Sequence, residues 1–209
     1  RRRSDAVTAL VTVHVYPFVS DAEIAHARLA ADGIASVISV ENEGGLNPGF
    51  YREFGVRLEV KRGDLEDALA SLGIERIHVP LGAARAMAIH ALGSTPNEAC
   101  GLVLFSGERA VSFVCCLTNV DASPERFTID PVEHHGAMVF ASAMGWTVGG
   151  MFHSHVRSDP LPSPADVAGG GDPDWVHFII GPVTGRKPAL RGYRYLDSGP
   201  VEVSLDIGT

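Results

Sequence analysis

Residues 8–16 read TALVTVHVY, a β-branched alternating run that ends at Pro17, so a strand is expected there. Ser20, Asp21, Ala22 and Glu23 have the spacing of a capping box. They predict a helix through Ile24, Ala27 and Leu29 that stops at Gly33. A second strand is expected over 34–40, a Gly/Asn/Pro-rich loop over 43–49 and a third strand over 55–60, GVRLEV. A short amphipathic helix over 64–72 is stopped by Gly73. The pattern then changes. After a strand over 74–79, a helix over 83–92 carries Met87, Ala88, Ala91 and Leu92 on one stripe and is closed by Gly93. Apolar runs follow at 100–105 and 111–120. Asp130 is placed to cap a helix with Pro131 at its first position and Glu133 at its third, running to about Met144. Runs at 146–155, 176–180, 190–195 and 201–205 complete a mixed set of strands. The class is α+β, with a mixed sheet in the larger part.

The change of pattern after Gly73 divides the 209 residues into two expected domains, 1–73 and 74–209. Strand, helix, strand, strand, helix in the first is the order of a small ferredoxin-like sandwich. At about 70 residues its core is marginal. An apolar fraction of 45% with 20% charged residues is that of a folded chain. The net charge of −8, from 25 acidic and 17 basic residues, repels nucleic acid and anionic membrane on average. The longest stretch free of charge and histidine, 136–152, is too short and too broken by Gly145 to span a bilayer. Arg1 to Arg3 lack a following apolar region and read as a solvated end, not an export signal, and the absent initiator Met as a tag remnant or processed start. Cys100, Cys115 and Cys116 cannot all pair, which argues against a disulfide framework and for a reducing cytoplasm.

The chemistry is concentrated in His153, Ser154, His155 and the segment after them. On a strand, positions i and i+2 share a face, so His153 and His155 present two imidazoles to one ion. Pro160, Pro162 and Pro164 turn the chain, and Ser163 with Pro164 opens a short helix that brings Asp166 back. Two imidazoles and a carboxylate, with a fourth position left to water, match the ligand count of a catalytic zinc site. Each piece has a plain reading too. A lone HxH is usually two ordinary strand histidines, and Ser163 with Asp166 suits any helix N-terminus. His134 and His135, near a helix start, read as surface or neutral histidines. Ser154 reads as a buried strand serine, and nothing marks His177 or Trp175 as catalytic.

HSH, seven residues, Ser, two residues, Asp resembles, position for position, the signature of the JAMM (MPN+) metallopeptidases. The upstream segment from Pro96 to Leu102, PNEACGL, resembles the family's glutamate segment. The likeness extends through LTNV at Asn119, RFTIDP at Arg126 and GGMFHSH, covering about 74–205. It departs at Val156, where proline is usual, and at Gly169 to Gly171, which should shorten the helix after Asp166. The resemblance implies a curved mixed sheet flanked by helices, as in cytidine deaminases. It implies one zinc per chain on His153, His155 and Asp166, with Glu98 as general acid/base and Ser163 donating to the oxyanion. The implied activity is hydrolysis of the amide after the C-terminal Gly-Gly of a ubiquitin-like or sulfur-carrier protein. The competing function is a non-catalytic scaffold or signalling subunit that uses the same fold as a platform. The first domain resembles a prokaryotic signal-transducing domain, which implies recruitment or regulation.

Overall fold

The β-branched alternation of the first third folds into strands because each strand can hide one face under a helix. The computed structural model of the protein describes residues 9–16, 18–40, 55–170, 172–184 and 188–208. The chain divides into two compact units, 1–75 and 76–209. In the first, β1 (Leu10–Tyr16), β2 (Ser36–Val40) and β3 (Val56–Lys61) form an antiparallel sheet in the order β1-β3-β2. Helices α1 (Val19–Ala31) and α2 (Leu65–Leu72) belong to the same unit. Val13, Leu29, Leu58, Val60 and Leu69 make its core, and Ile74 packs against it. The expected loop over 43–49 lies outside the described residues.

The capping box expected at Ser20 does not form. Helix α1 begins at Val19 with Phe18 as an extended N-cap and no side-chain cap bond. Phe18 and Val19 are exposed, so water reaches the first-turn amides, and Asp21 supplies the favourable charge. Helix α2 is preceded by a 3₁₀ turn, Arg62–Asp64, and ends at Gly73 in the left-handed region at φ 66.

The second unit holds a seven-stranded mixed sheet in the order β4-β10-β9-β8-β7-β5-β6. Its strands are β4 (Arg76–Pro80), β5 (Cys100–Phe105), β6 (Val111–Leu117), β7 (Thr147–Ser154), β8 (Val176–Gly181), β9 (Ala189–Leu196) and β10 (Gly199–Gly208). The β7–β8 and β4–β10 pairs are parallel and the rest antiparallel. Helix α3 (Leu81–Ser94) puts Met87 and Ala91 into the core with Phe152, Phe178, Ile180 and Val103. It passes through Gly93, where the sequence predicts its end. Ser94 donates to the carbonyl of His90 and Thr95 to that of Ala91, so hydroxyls close the last turn. Helix α4 (Pro131–Met144) runs between the expected limits, because Asp130 accepts from the amides of Val132 and Glu133 and Gly145 closes it at φ 68. It packs Ala137 onto Leu102 and Leu117. Among the described residues no helix is long and apolar enough to cross a membrane.

Candidate metal centre

Strand β7 places the histidines. Its register against β5 pairs Cys100 with His153, so the chain just before β5 runs beside the end of β7. Ser154 points away from the ligand face, and its Oγ accepts from the Ala99 amide at 2.8 Å, while its own amide donates to the Ala99 carbonyl. This ties Glu98, one residue away, to the histidine strand. Beyond β7, the His155 amide donates to the Ile180 carbonyl at 2.8 Å, continuing the ladder. The loop that follows crosses Gly181, where an added Cβ would lie 2.7 Å from the Ser158 carbonyl and 3.0 Å from the His155 Cβ. Glycine is needed there for the loop to pass. The Tyr193 hydroxyl then anchors the loop by donating to the Pro160 carbonyl at 2.9 Å.

The returning chain forms helix α5 (Pro164–Ala168), whose brevity matches the glycines that follow it. Ser163 caps it. Its Oγ accepts from the Asp166 amide at 3.2 Å, while the Asp166 carboxylate accepts from the Ser163 amide at 2.7 Å. That reciprocal cap fixes the carboxylate towards the imidazoles. Asp166 Oδ1 lies 3.3 Å from His153 Nε2, Asp166 Oδ2 lies 3.3 Å from His155 Nε2, and the two Nε2 atoms are 3.2 Å apart.

This donor set fits a cation. His155 Nδ1 donates to the Asp159 carbonyl at 2.9 Å, so the neutral form of the ring turns the bare lone pair of Nε2 inward, while against burial the contacts with Asp166 and the Asp159 carbonyl raise its pKa. Facing it are a carboxylate and the second Nε2, so one ligand atom from each of the three side chains lies within reach of a single ion. Tetrahedral coordination with bonds of about 2.0–2.1 Å requires ligand atoms about 3.3 Å apart, close to the separations here. His153 is 1% exposed, and burial lowers its pKa and favours the neutral ring that a metal needs.

Glu98 is 5% exposed. Burial pushes its pKa up to about 7, with the charges of Asp166 and Glu125 adding and that of His155 opposing. A carboxyl at that value exchanges protons near neutrality in either direction. Its amide donates to the Ser123 carbonyl at 2.8 Å, and its carbonyl accepts from Asn119 Nδ2 at 3.0 Å.

Several features here are not legible from motif spacing. Phe127 stacks on the His153 ring, centroids 4.8 Å apart and 20° from parallel. Next to His153 and Asp166 lies a cavity of about 370 Å³, walled by Leu102, Phe127, Met151, Trp175, His177 and Tyr195. His177 stacks on Tyr195 at 3.9 Å, and burial and the neighbouring His153 lower its pKa to about 4, so it is uncharged at neutral pH. The one available signal was a histidine inside the apolar run VHFII, since an imidazole on a buried strand needs a reason. His134 also lines the cavity, whereas His135 is exposed.

The sequence pattern of the prokaryotic homologs of the JAB domain matches residues 80–194, and the chain belongs to that family. It is similar to a desampylase of Haloferax volcanii, 32% identical over 94 residues, 44% of this chain and 68% of that protein. It is also similar to a CysO-cysteine peptidase of Mycobacterium tuberculosis, 30% identical over 129 residues, 58% of this chain and 84% of that protein. Among solved structures, a protein from Desulfitobacterium hafniense matches with a TM-score of 0.58 and 32% identity, over 63% of this chain and 92% of that one.

Proposed function

We propose that the protein is a zinc-dependent peptidase that hydrolyses the amide bond after the C-terminal Gly-Gly of a ubiquitin-like or sulfur-carrier protein. The observation that carries this reading is the triangle of His153 Nε2, His155 Nε2 and the Asp166 carboxylate, with the buried carboxyl of Glu98 nearby. His153, His155 and Asp166 would hold the zinc. When bound, zinc supplies Lewis acidity that lowers the pKa of a water from about 15.7 to about 7.

The chain's own groups do the rest. Glu98 takes a proton from the attacking water and returns it to the departing amine, a role suited to a carboxyl poised near 7. The Ser163 oxygen accepts from the Asp166 amide, which leaves its own proton free to donate to the carbonyl oxygen as charge develops there. The largely apolar cavity beside His153 and Asp166, with Glu125 and Arg126 in its lining, receives the substrate tail upstream of the scissile bond. Beside the buried ligands an acyl residue without a Cβ approaches most closely, which favours glycine. The names of the relatives, desampylase and CysO-cysteine peptidase, support a scissile bond at the end of a carrier protein.

The test is a set of small carrier proteins ending in Gly-Gly, each joined to a lysine peptide or a short extension, incubated with zinc-loaded protein. Cleavage after the last glycine is expected, and replacing that glycine by valine should slow it by about 100-fold or more, the size of effect expected from a misplaced reacting group. Equal rates for the two substrates would overturn the Gly-Gly assignment. No metal-dependent cleavage of any carrier would overturn the peptidase reading.

A further inference from the structure

Glu98 stands just before β5, outside the ladder that holds the strand, so its backbone has to be held by something else. Both of its peptide groups go to the segment 118–128. The side chain of Asn119 is the centre of that segment. Its Nδ2 donates to the carbonyl of Glu98 at 3.0 Å and to that of Arg126 at 3.1 Å. Its Oδ1 accepts from the amides of Asp121 and Thr128, each at 3.1 Å. The orientation of the amide is fixed by these partners, because two carbonyls can only accept and two backbone N–H groups can only donate. Each partner supplies the complement of one face of the amide.

The residues on either side anchor it. Thr118 donates from its amide to Glu133 Oε2 at 2.6 Å and from its hydroxyl to Oε1 at 2.9 Å, which ties the segment to the first turn of α4. The amide of Val120 donates to the Thr128 carbonyl and that of Asp130 to the Thr118 carbonyl, which closes the segment on itself. One residue beyond Arg126 is Phe127, the ring stacked on His153. A single amide therefore joins the backbone of the proton-transfer group to the backbone that carries the wall of a ligand histidine.

We propose that Asn119 is a positioning residue that sets Glu98, and through Arg126 the Phe127 ring, against the His153–His155–Asp166 cluster. The inference rests on the reading of Glu98 as the acid/base. It does not require Asn119 to touch substrate or metal. Asn119→Asp separates this role from simple loop stability. The aspartate keeps the two acceptor contacts to Asp121 and Thr128 and loses both donors, turning an oxygen towards the Glu98 and Arg126 carbonyls.

The experiment compares Asn119→Asp, Asn119→Ala and Asp121→Ala in the full-length, zinc-loaded protein. Asp121→Ala removes the Thr128 hydroxyl's bond to Asp121, 2.8 Å in the same segment, and leaves the Glu98 contact alone. Both Asn119 variants should lose about 10- to 100-fold in kcat, as expected for a reacting group displaced by a fraction of an ångström to about 1 Å. Their KM and zinc content should be unchanged, and Asp121→Ala should retain kcat within about twofold, as for a change away from the reacting groups. Residue-resolved amide exchange gives a readout that needs no activity. In Asn119→Asp the Glu98 amide should exchange faster while the Asp121 and Thr128 amides stay protected. Wild-type kcat in Asn119→Asp, or unchanged protection of Glu98 in both Asn119 variants, would overturn the inference. A wild-type protein that cleaves no carrier overturns the peptidase reading instead, and the exchange comparison still decides the positioning role.

Discussion

In the first unit every described buried side chain is apolar, Val13, Leu29, Leu58 and Leu69 among them, whereas the second unit buries Glu98, His153, Ser154, His155 and His177 among its aliphatic residues. Buried ionisable groups cost stability unless they are paired or ligated. The first unit avoids that cost and is a small apolar sandwich. The second concentrates it around one point, where His153, His155 and Asp166 converge and burial raises the Glu98 pKa to about 7. The difference teaches where the chemistry is. A polar group retained in a core against its desolvation has a use, and in this molecule those groups share one neighbourhood.

The largest expected effect is loss of the ion. Chelation, or His155→Ala, should reduce peptide hydrolysis by about 1,000-fold or more, since the activated water is lost with the metal. Zinc measured per chain in the variant should fall to background, and a first-unit substitution such as Leu58→Ala should leave it unchanged. Glu98→Gln comes next. Turnover should fall by about 10²- to 10⁴-fold with zinc retained, because the amide keeps the shape and cannot accept a proton. Loss of zinc in that variant would make Glu98 a ligand and redraw the site.

The same substitution tests the cost of burial. Burial raises the Glu98 pKa from 4.5 to about 7 in the fold, so the folded protein binds the proton more tightly than the unfolded chain does. Its penalty is absent below 4.5, grows as pH rises towards 7 and is complete above that. Metal-free Glu98→Gln should therefore melt about 4 °C above wild type at pH 8, with the gap closing at pH 4.5. An equal gap at both values would remove burial of charge as the cause. The smallest effect belongs to the first unit. A chain starting at Arg76 should cleave a small peptide within about twofold of the full protein, because the cores of the second unit draw on no earlier residue. A collapse of activity and folding in that chain would join the two units into one core.

Local signals decided some elements and failed at others. Asp130, Pro131 and Glu133 mark the start of α4 within four residues, and Gly145 marks its end, so both limits were legible. The turn from Ser163 to Asp166 is equally local, and its reciprocal cap is the reason the carboxylate points at the histidines. The helix starts and ends that differ, at Phe18 and at Ser94, do so because exposure and distant packing decided which amides needed a cap. Asn119 stood out only as part of a motif. Its partners lie 2 to 21 residues away, and no periodicity announces them. The cavity is likewise assembled from four strands, a loop and helices α4 and α5, and of its walls only His153 and Asp166 were marked by the sequence motif.

The most direct test of the central claim needs no substrate. Crystals of the full protein grown with zinc should give, in maps from data collected on either side of the zinc absorption edge, one strong anomalous peak per chain about 2.0–2.1 Å from His153 Nε2, His155 Nε2 and an Asp166 oxygen. No peak at that point, with the two imidazoles and the carboxylate still turned towards one another, would contradict the metal centre and with it the proposed chemistry.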